Sequence, residues 1–261
     1  MFRLVKWYFD LVTDDGTAVI AYAARLRLAG IRLTCGATLV SPPAGPAREQ
    51  SVVRGVRPPG RQRDSIVWQC ESLDIAGRWQ TGGRPIRRQL ACTADGVIRW
   101  ECVAPRSRAV VTAAGTVLDG WGYVERLRLT IPPWKLPFDH LRWGRFVSPA
   151  DAVTWIAWDG ETPRTHVWLE GELLPGALVS PGVISQPGRM QLVPGSPRLL
   201  RDREVRSALA GAHGIFARIL PRSLRRVREH KWLARARLIY NDGAEVEGWA
   251  IDEEVTWRGR L

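Results

Sequence analysis

Ala234-Arg235-Ala236-Arg237-Leu238-Ile239-Tyr240, then Asn241-Asp242-Gly243, then Ala244-Glu245-Val246-Glu247-Gly248-Trp249-Ala250-Ile251 reads as a β-hairpin. Both arms mix apolar and polar residues near period two, and the Asn-Asp-Gly turn supplies the positive φ that a tight reversal needs. Residues 7–10, 18–28, 66–73, 97–103, 122–131, 153–158 and 165–173 carry the same blend of β-branched, aromatic and polar side chains. Asp14-Asp15-Gly16, Ala94-Asp95-Gly96 and Trp158-Asp159-Gly160 fall between them as turns. Helical spacing is weak except over residues 204–220, where Val205, Leu209, Ile215, Phe216 and Ile219 align on one face despite Gly211 and Gly214; one short helix is expected there. Proline and glycine gather at residues 42–46, 58–60, 132–137 and 175–197, marking loops. Residues 41–64, with Arg54, Arg57, Arg61 and Arg63 among the prolines, read as a flexible excursion from the sheet.

The 261 residues are 45% hydrophobic and 25% charged, which excludes the apolar-poor disordered class and leaves room for one large domain or two small ones. No apolar run approaches the roughly 20 residues of a membrane-spanning helix, because arginines such as Arg25, Arg27 and Arg32 interrupt the candidates. The opening MFRLVKWYFD lacks an apolar run with a small-residue cleavage site, so a cytoplasmic location is expected. Cys35, Cys70, Cys92 and Cys102 match no zinc or redox spacing and read as buried thiols, with disulfides as the lesser alternative.

The net charge of +12 prompts a nucleic-acid reading, but Lys6, Lys135 and Lys231 are the only lysines, and such arginine, alanine and glycine richness follows from a GC-rich genome. From Arg201 to Arg237 there are 11 basic against 3 acidic residues. A solvated face is the preferred reading of that segment, with peripheral contact to an anionic membrane as the alternative and no nucleic acid expected.

Two internal likenesses suggest duplication, with coincidence as the alternative in a chain of 13 tryptophans. Gly122-Tyr123-Val124-Glu125 is echoed by the run from Gly248 to Glu253, and Trp7-Tyr8-Phe9 by Trp143-Gly144-Arg145-Phe146. The halves would be residues 1–135 and 136–261, each the size of an up-and-down barrel around an apolar pocket.

Dinucleotide and phosphate loops, HExxH and GxSxG are absent, and His140, His166, His213 and His230 have no ligand spacing. Neither a metal nor a cofactor is expected. Thirteen tryptophans against nine Tyr plus Phe is an inverted ratio. The rings either fill barrel interiors or line a cavity for a large apolar ligand, where their faces would stabilise a cation. A carboxyl desolvated in such a cavity holds its proton near neutral pH and can donate it. Asp10 and Glu125 are the candidates; the competing reading makes each a structural carboxylate bonded to an amide or an arginine. Alternation places Trp121, Tyr123 and Glu125 on one strand face.

Lys6-Trp7-Tyr8-Phe9-Asp10 resembles the N-terminal signature of the carotenoid hydratase superfamily, which includes tocopherol cyclase-like proteins and lipocalin-like Diels-Alderases. Gly122-Tyr123-Val124-Glu125 is similar to the GYxE segment of the cyclase-like members. Pro132-Pro133-Trp134, the run from Leu141 to Phe146 and, more weakly, Gly248 to Val255 extend the likeness. The chain is shorter than is usual for the superfamily, and one Trp stands where the stronger pattern has a pair. The resemblance implies two lipocalin-like antiparallel β-barrel domains and a hydrophobic isoprenoid- or polyketide-type substrate. It implies hydration, cyclisation or a pericyclic step without a cofactor. In that scheme Glu125 or Asp10 donates the proton, Tyr8 and Tyr123 orient acid or substrate, and Trp7, Trp121, Trp143, His140 and Trp249 line the pocket. A non-catalytic carrier of a hydrophobic ligand is the first alternative, a basic nucleic-acid-binding protein the second.

Overall fold

A computed structural model describes residues 2–204 and 227–257; in these the chain is all-β, with no α-helix. The helix expected over residues 204–220 falls, past Glu204, outside the described residues. Among the described residues no helix is long and apolar enough to cross a membrane.

The strands form two compact units. In residues 2–136 they are β1 (Phe2–Val12), β2 (Ala18–Leu28), β3 (Ile31–Ser41), β4 (Arg48–Val53), β5 (Gly60–Gln62), β6 (Ser65–Cys70), β7 (Ile75–Gly82), β8 (Ile86–Thr93), β9 (Gly96–Ala113) and β10 (Thr116–Leu129). The described residues of 137–257 hold β11 (His140–Val147), β12 (Ala152–Asp159), β13 (Arg164–Leu169), β14 (Glu172–Leu173), β15 (Leu178–Ser180), β16 (Val183–Gln186), β17 (Met190–Pro194), β18 (Arg198–Glu204), β19 (Val227–Tyr240) and β20 (Glu245–Trp257). The first sheet is ordered β4-β3-β2-β1-β10-β9-β7-β6-β5 with β8 also on β9; the second is ordered β14-β13-β12-β11-β20-β19-β17-β16-β15 with β18 on β19. Adding ten to each strand number converts one order into the other, so the chain is a tandem repeat.

Register makes the repeat residue-specific. Val12 pairs with Ala18 and Trp121, and Val147 with Ala152 and Trp249. Counting back from these pairs matches Trp121 with Trp249, Glu125 with Glu253, Tyr8 with Trp143 and Asp10 with Arg145. The glycine likeness seen in the sequence is thus two residues out of register: Gly248 corresponds to Gly120. A Cβ on Gly120 would lie 2.2 Å from the Val12 carbonyl oxygen, and one on Gly248 2.5 Å from that of Val147, so the same close backbone approach demands glycine twice.

The turns hold for the reason expected. Gly243 (φ 85) closes the β19–β20 hairpin, with Tyr240 N–H donating to the Ala244 carbonyl at 2.8 Å, and Gly16 (φ 87) closes β1–β2. Residues 41–64 differ from expectation, since β4 and β5 are ordered strands. Both are sheet edges, where the flanking prolines remove no ladder hydrogen bond.

Each sheet curls around its own core. In the first, Phe9 packs on Trp68 (centroids 5.6 Å, interplanar 6°) and Trp79 (4.8 Å), among Leu11, Val19, Ala21 and Val111. In the second, Phe146, Trp155, Val167, Ile184, Leu192 and Leu238 fill the equivalent space. The large ring changes strand between the units: Phe9 faces Ala21 in the first, whereas Gly144 faces Trp155 in the second. Trp68, Trp79 and Trp155 therefore fill solid cores, and the apolar pocket expected at each barrel centre is occupied by side chains. Of the four cysteines, Cys70 and Cys102 are buried as expected, but Cys35 is half-buried and Cys92 exposed; all are free thiols. Cys92 stands at the outward position before the Ala94-Asp95-Gly96 turn, where alternation faces it to solvent.

Candidate functional site

In β1 alternation sends Phe9 and Leu11 into the core and Tyr8 and Asp10 to the opposite face. The β1–β10 ladder runs without a shift, pairing Tyr8 with Glu125 and Asp10 with Tyr123. β2 adds Tyr22 opposite Tyr8, and β9 adds Cys102 opposite Glu125. Four sequence candidates, Tyr8 and Asp10 on β1 and Tyr123 and Glu125 on β10, thus converge on two adjacent strands, and all four are buried.

Two neutral donors meet on one oxygen of Glu125. Trp100 donates its indole Nε1–H to Oε2 at 2.5 Å, and Tyr123 donates its hydroxyl to the same atom at 2.9 Å. Tyr123 also hydrogen-bonds Cys102. Burial above all, then the nearby Cys102 and Glu125, pushes the Tyr123 phenol well above its ordinary range, so it stays a donor. Burial likewise pushes the Cys102 thiol well above its usual value. The rings of Tyr22 and Tyr123 stand edge-on to Tyr8 at 5.4 and 6.1 Å. Trp79 donates its indole N–H to the Asp10 carbonyl at 2.8 Å, tying the core on one face of β1 to the site on the other.

The second unit shows the same positions used differently. Opposite Glu253 stands Lys231, fully buried, whose ammonium ion-pairs with Glu253 and lies 3.8 Å from Glu229 and 5.6 Å from the Trp143 ring centroid. Arg142 donates to Asp252 and to the Ser180 carbonyl, and Arg145 to the Trp249 carbonyl. Where the first unit has a carboxyl held by indole and phenol, the second has a buried ionic network.

The remaining sequence candidates lie elsewhere. Trp7 is on the core face of β1, stacked on Phe9 (6.2 Å, 7°) with the Arg126 guanidinium 5.1 Å from its ring. Trp121 and Trp249 each lie beneath an arginine, Arg108 at 5.7 Å and Arg235 at 4.8 Å. His140 has its Nδ1 3.7 Å from Asp159. Trp143, His140 and Trp249 belong to the second unit. Trp100, Cys102 and Tyr22 were missed as site residues, although alternation places Trp100 and Cys102 on one face of β9. Among the described residues no three His, Cys, Asp or Glu are grouped to hold a metal ion. The described cations of the basic segment have internal partners: Arg201 and Arg203 pair with Glu229, and Arg228 with Asp202.

No family model and no curated protein matches the sequence. Solved structures do match. An AttH-like protein from Nitrosomonas europaea is 12% identical with a TM-score of 0.59, the match covering 99% of this chain and 93% of that one. The chain has that fold. Kievitone hydratase from Nectria haematococca shares it at 9% identity and TM-score 0.56, covering 98% and 89%. CghA, solved with Sch210972, shares it at 12% and 0.55, covering 97% and 88%. The architecture is accordingly the two-unit lipocalin-like fold that these three structures share.

Proposed function

We propose that the protein is a cofactor-independent enzyme that protonates a hydrophobic, alkene-bearing substrate at Glu125 and completes a hydration or a cyclisation. The observation that carries this reading is the convergence of Trp100 Nε1–H and Tyr123 O–H on Glu125 Oε2, at the position where the second unit has a lysine ion pair. In this reading burial keeps the carboxyl protonated, and because both hydrogens on Oε2 come from Trp100 and Tyr123 the acid's own proton sits on Oε1. Transfer of that proton to one alkene carbon leaves a carbocation at the other. Water adds there, or a neighbouring π bond closes a ring, and a proton returns to the carboxylate. Tyr123 is a positioning residue that remains a phenol throughout. The faces of Tyr8 and Tyr22 offer negative quadrupoles to the cation. Asp10 is the second acid, and a pericyclic step would need only the shape of the site.

Kievitone hydratase shares the fold, so kievitone and linear polyprenols are the first substrates to try. Mass spectrometry would follow a gain of one water, or an isomer of unchanged mass. Glu125→Gln should lower the rate by about 10² to 10⁴, the usual worth of a placed proton donor, while binding persists. Glu125→Gln turning over at the parent rate, with Asp10→Asn inactive, would move the proton donor to Asp10. Saturable binding without turnover by parent or variants would leave the carrier reading.

A further inference from the structure

Followed along its core face, the first sheet changes character abruptly. The row Ala21–Phe9–Val124 is apolar. Two residues further along each strand, the next row reads Ala23, Trp7, Arg126, Glu101, Arg87 across β2, β1, β10, β9 and β8. The row after that reads Arg25, Val5, Arg128, Arg99, Gln89. Five arginines face one glutamate on this rim, and Arg99 stands directly opposite Arg128 in the ladder. Like charges placed so cost stability. Glu101 is already shared by Arg87 and Arg126, while the side chains of Arg99 and Arg128 have no ion pair or hydrogen bond among the described residues.

Arginine richness of the whole chain does not account for this. The matching rows of the second unit read Ala157, Arg142, Glu254, His230, Asp202 and Asp159, His140, Thr256, Arg228, Glu204. Two arginines there meet four acids. The same composition, folded to the same register, balances one rim and leaves the other strongly positive.

The rim also encloses space. Arg87, Arg88, Arg99, Arg126 and Arg128 line a cleft of about 380 Å³ that reaches Trp100. Beside it Val5, Trp7, Ala23, Val56 and Pro58 wall a smaller cavity of about 120 Å³, also lined by Arg25 and Arg57. Arg126, stacked on Trp7, lies between the two sets of walls. Guanidinium pairs are matched in shape to phosphate oxygens, and an apolar pocket beside them suits a hydrocarbon chain.

We infer that the mouth of the first unit binds an amphiphile with a phosphate or diphosphate head, its head on Arg99 and Arg128 and its chain against Trp7. This site lies on the other face of β1 from Tyr8 and Asp10 and does not depend on the role of Glu125.

The test titrates the full-length protein with geranyl diphosphate, following tryptophan fluorescence, because Trp7 and Trp100 border the two cavities. Saturable binding is expected, weaker by at least about tenfold for Arg99→Ala/Arg128→Ala and unchanged for Arg61→Ala/Arg164→Ala, which removes the same charge from exposed arginines elsewhere. The first pair relieves a like-charge contact, so those variants keep the fold. Inorganic pyrophosphate should compete, and geraniol should bind far more weakly. A second arm uses phosphatidic acid against phosphatidylcholine vesicles: an Arg99- and Arg128-dependent preference there without binding of the soluble ester makes the ligand a lipid headgroup of the same chemistry. Equal affinity for parent and Arg99→Ala/Arg128→Ala, equal weakening by both double variants, or binding of a duplex oligonucleotide in preference to the ester and the vesicles would overturn the inference.

Discussion

Replacing Lys231 with methionine tests whether the second unit's polar network is structural, as its difference from Glu125 implies. Lys231 is fully buried, and methionine keeps its unbranched stem against Trp143 while removing the charge. Glu229 would retain Arg201 at 3.0 Å and Arg203 at 3.7 Å, whereas Glu253, with 14% of its side chain exposed, would lose its ammonium partner. Stranding a buried partner charge costs about 3 to 5 kcal/mol. At roughly 2 to 4 °C per kcal/mol for a protein of this size, the melting temperature should fall by about 6 to 20 °C. Circular dichroism of the β signal against temperature measures this directly. The double variant Lys231→Met/Glu253→Met removes both charges and should recover most of the loss. A single variant melting within about 2 °C of the parent would show the pair to be solvated, and a double variant as unstable as the single would mean that packing, not charge, was lost.

Two further outcomes follow from the packing and the site. A Cβ at position 144 would lie 2.1 Å from Trp155 Cζ2 and 2.7 Å from the Ile251 carbonyl oxygen, so Gly144→Ala should cost about 1 to 3 kcal/mol or more; an unchanged urea midpoint would contradict the contact. Tyr123 and Cys102 both have folded-state pKa values raised above their ordinary 10.0 and 9.0, so their protonated forms stabilise the fold fully below pH of about 9, and that contribution is lost as pH rises. Thermal stability should therefore drop more steeply between roughly pH 9 and 11 in the parent than in Tyr123→Phe, and parallel curves would rule this out.

What was legible followed from chemistry local in sequence. Gly16 and Gly243 announced their hairpins, and alternation within one strand put Tyr123 with Glu125. What was missed needed partners from other strands. β9 meets β10 through a register shift around Val124, so no spacing in the sequence sets Cys102 against Glu125 or carries Trp100 to it. Trp7 was grouped with Tyr8 and Asp10 by proximity, although alternation turns it to the core. The strands within residues 41–64 were hidden because edge strands tolerate the prolines that normally signal loops. The arginine rim draws on β1, β2, β8, β9 and β10, and its excess is visible only beside the matching rows of the second unit.

Pairing of β1 with β10 joins residues 4–12 to residues 121–129, the two ends of the first unit. A contact this distant in sequence forms late and slowly, after the local hairpins have closed. On the ribosome, where domains begin folding at about 5 to 20 residues per second of synthesis, β1 emerges first and waits for its second neighbour until β10 is made. For that interval β1 is hydrogen-bonded on one side by β2 and open on the other, an unpaired edge with Trp7, Phe9 and Leu11 still uncovered. The repeat imposes the same wait on β11 until β20 is complete, so the nascent chain is open to mispairing twice, and each unit provides the other with a strand of matching register to mispair with.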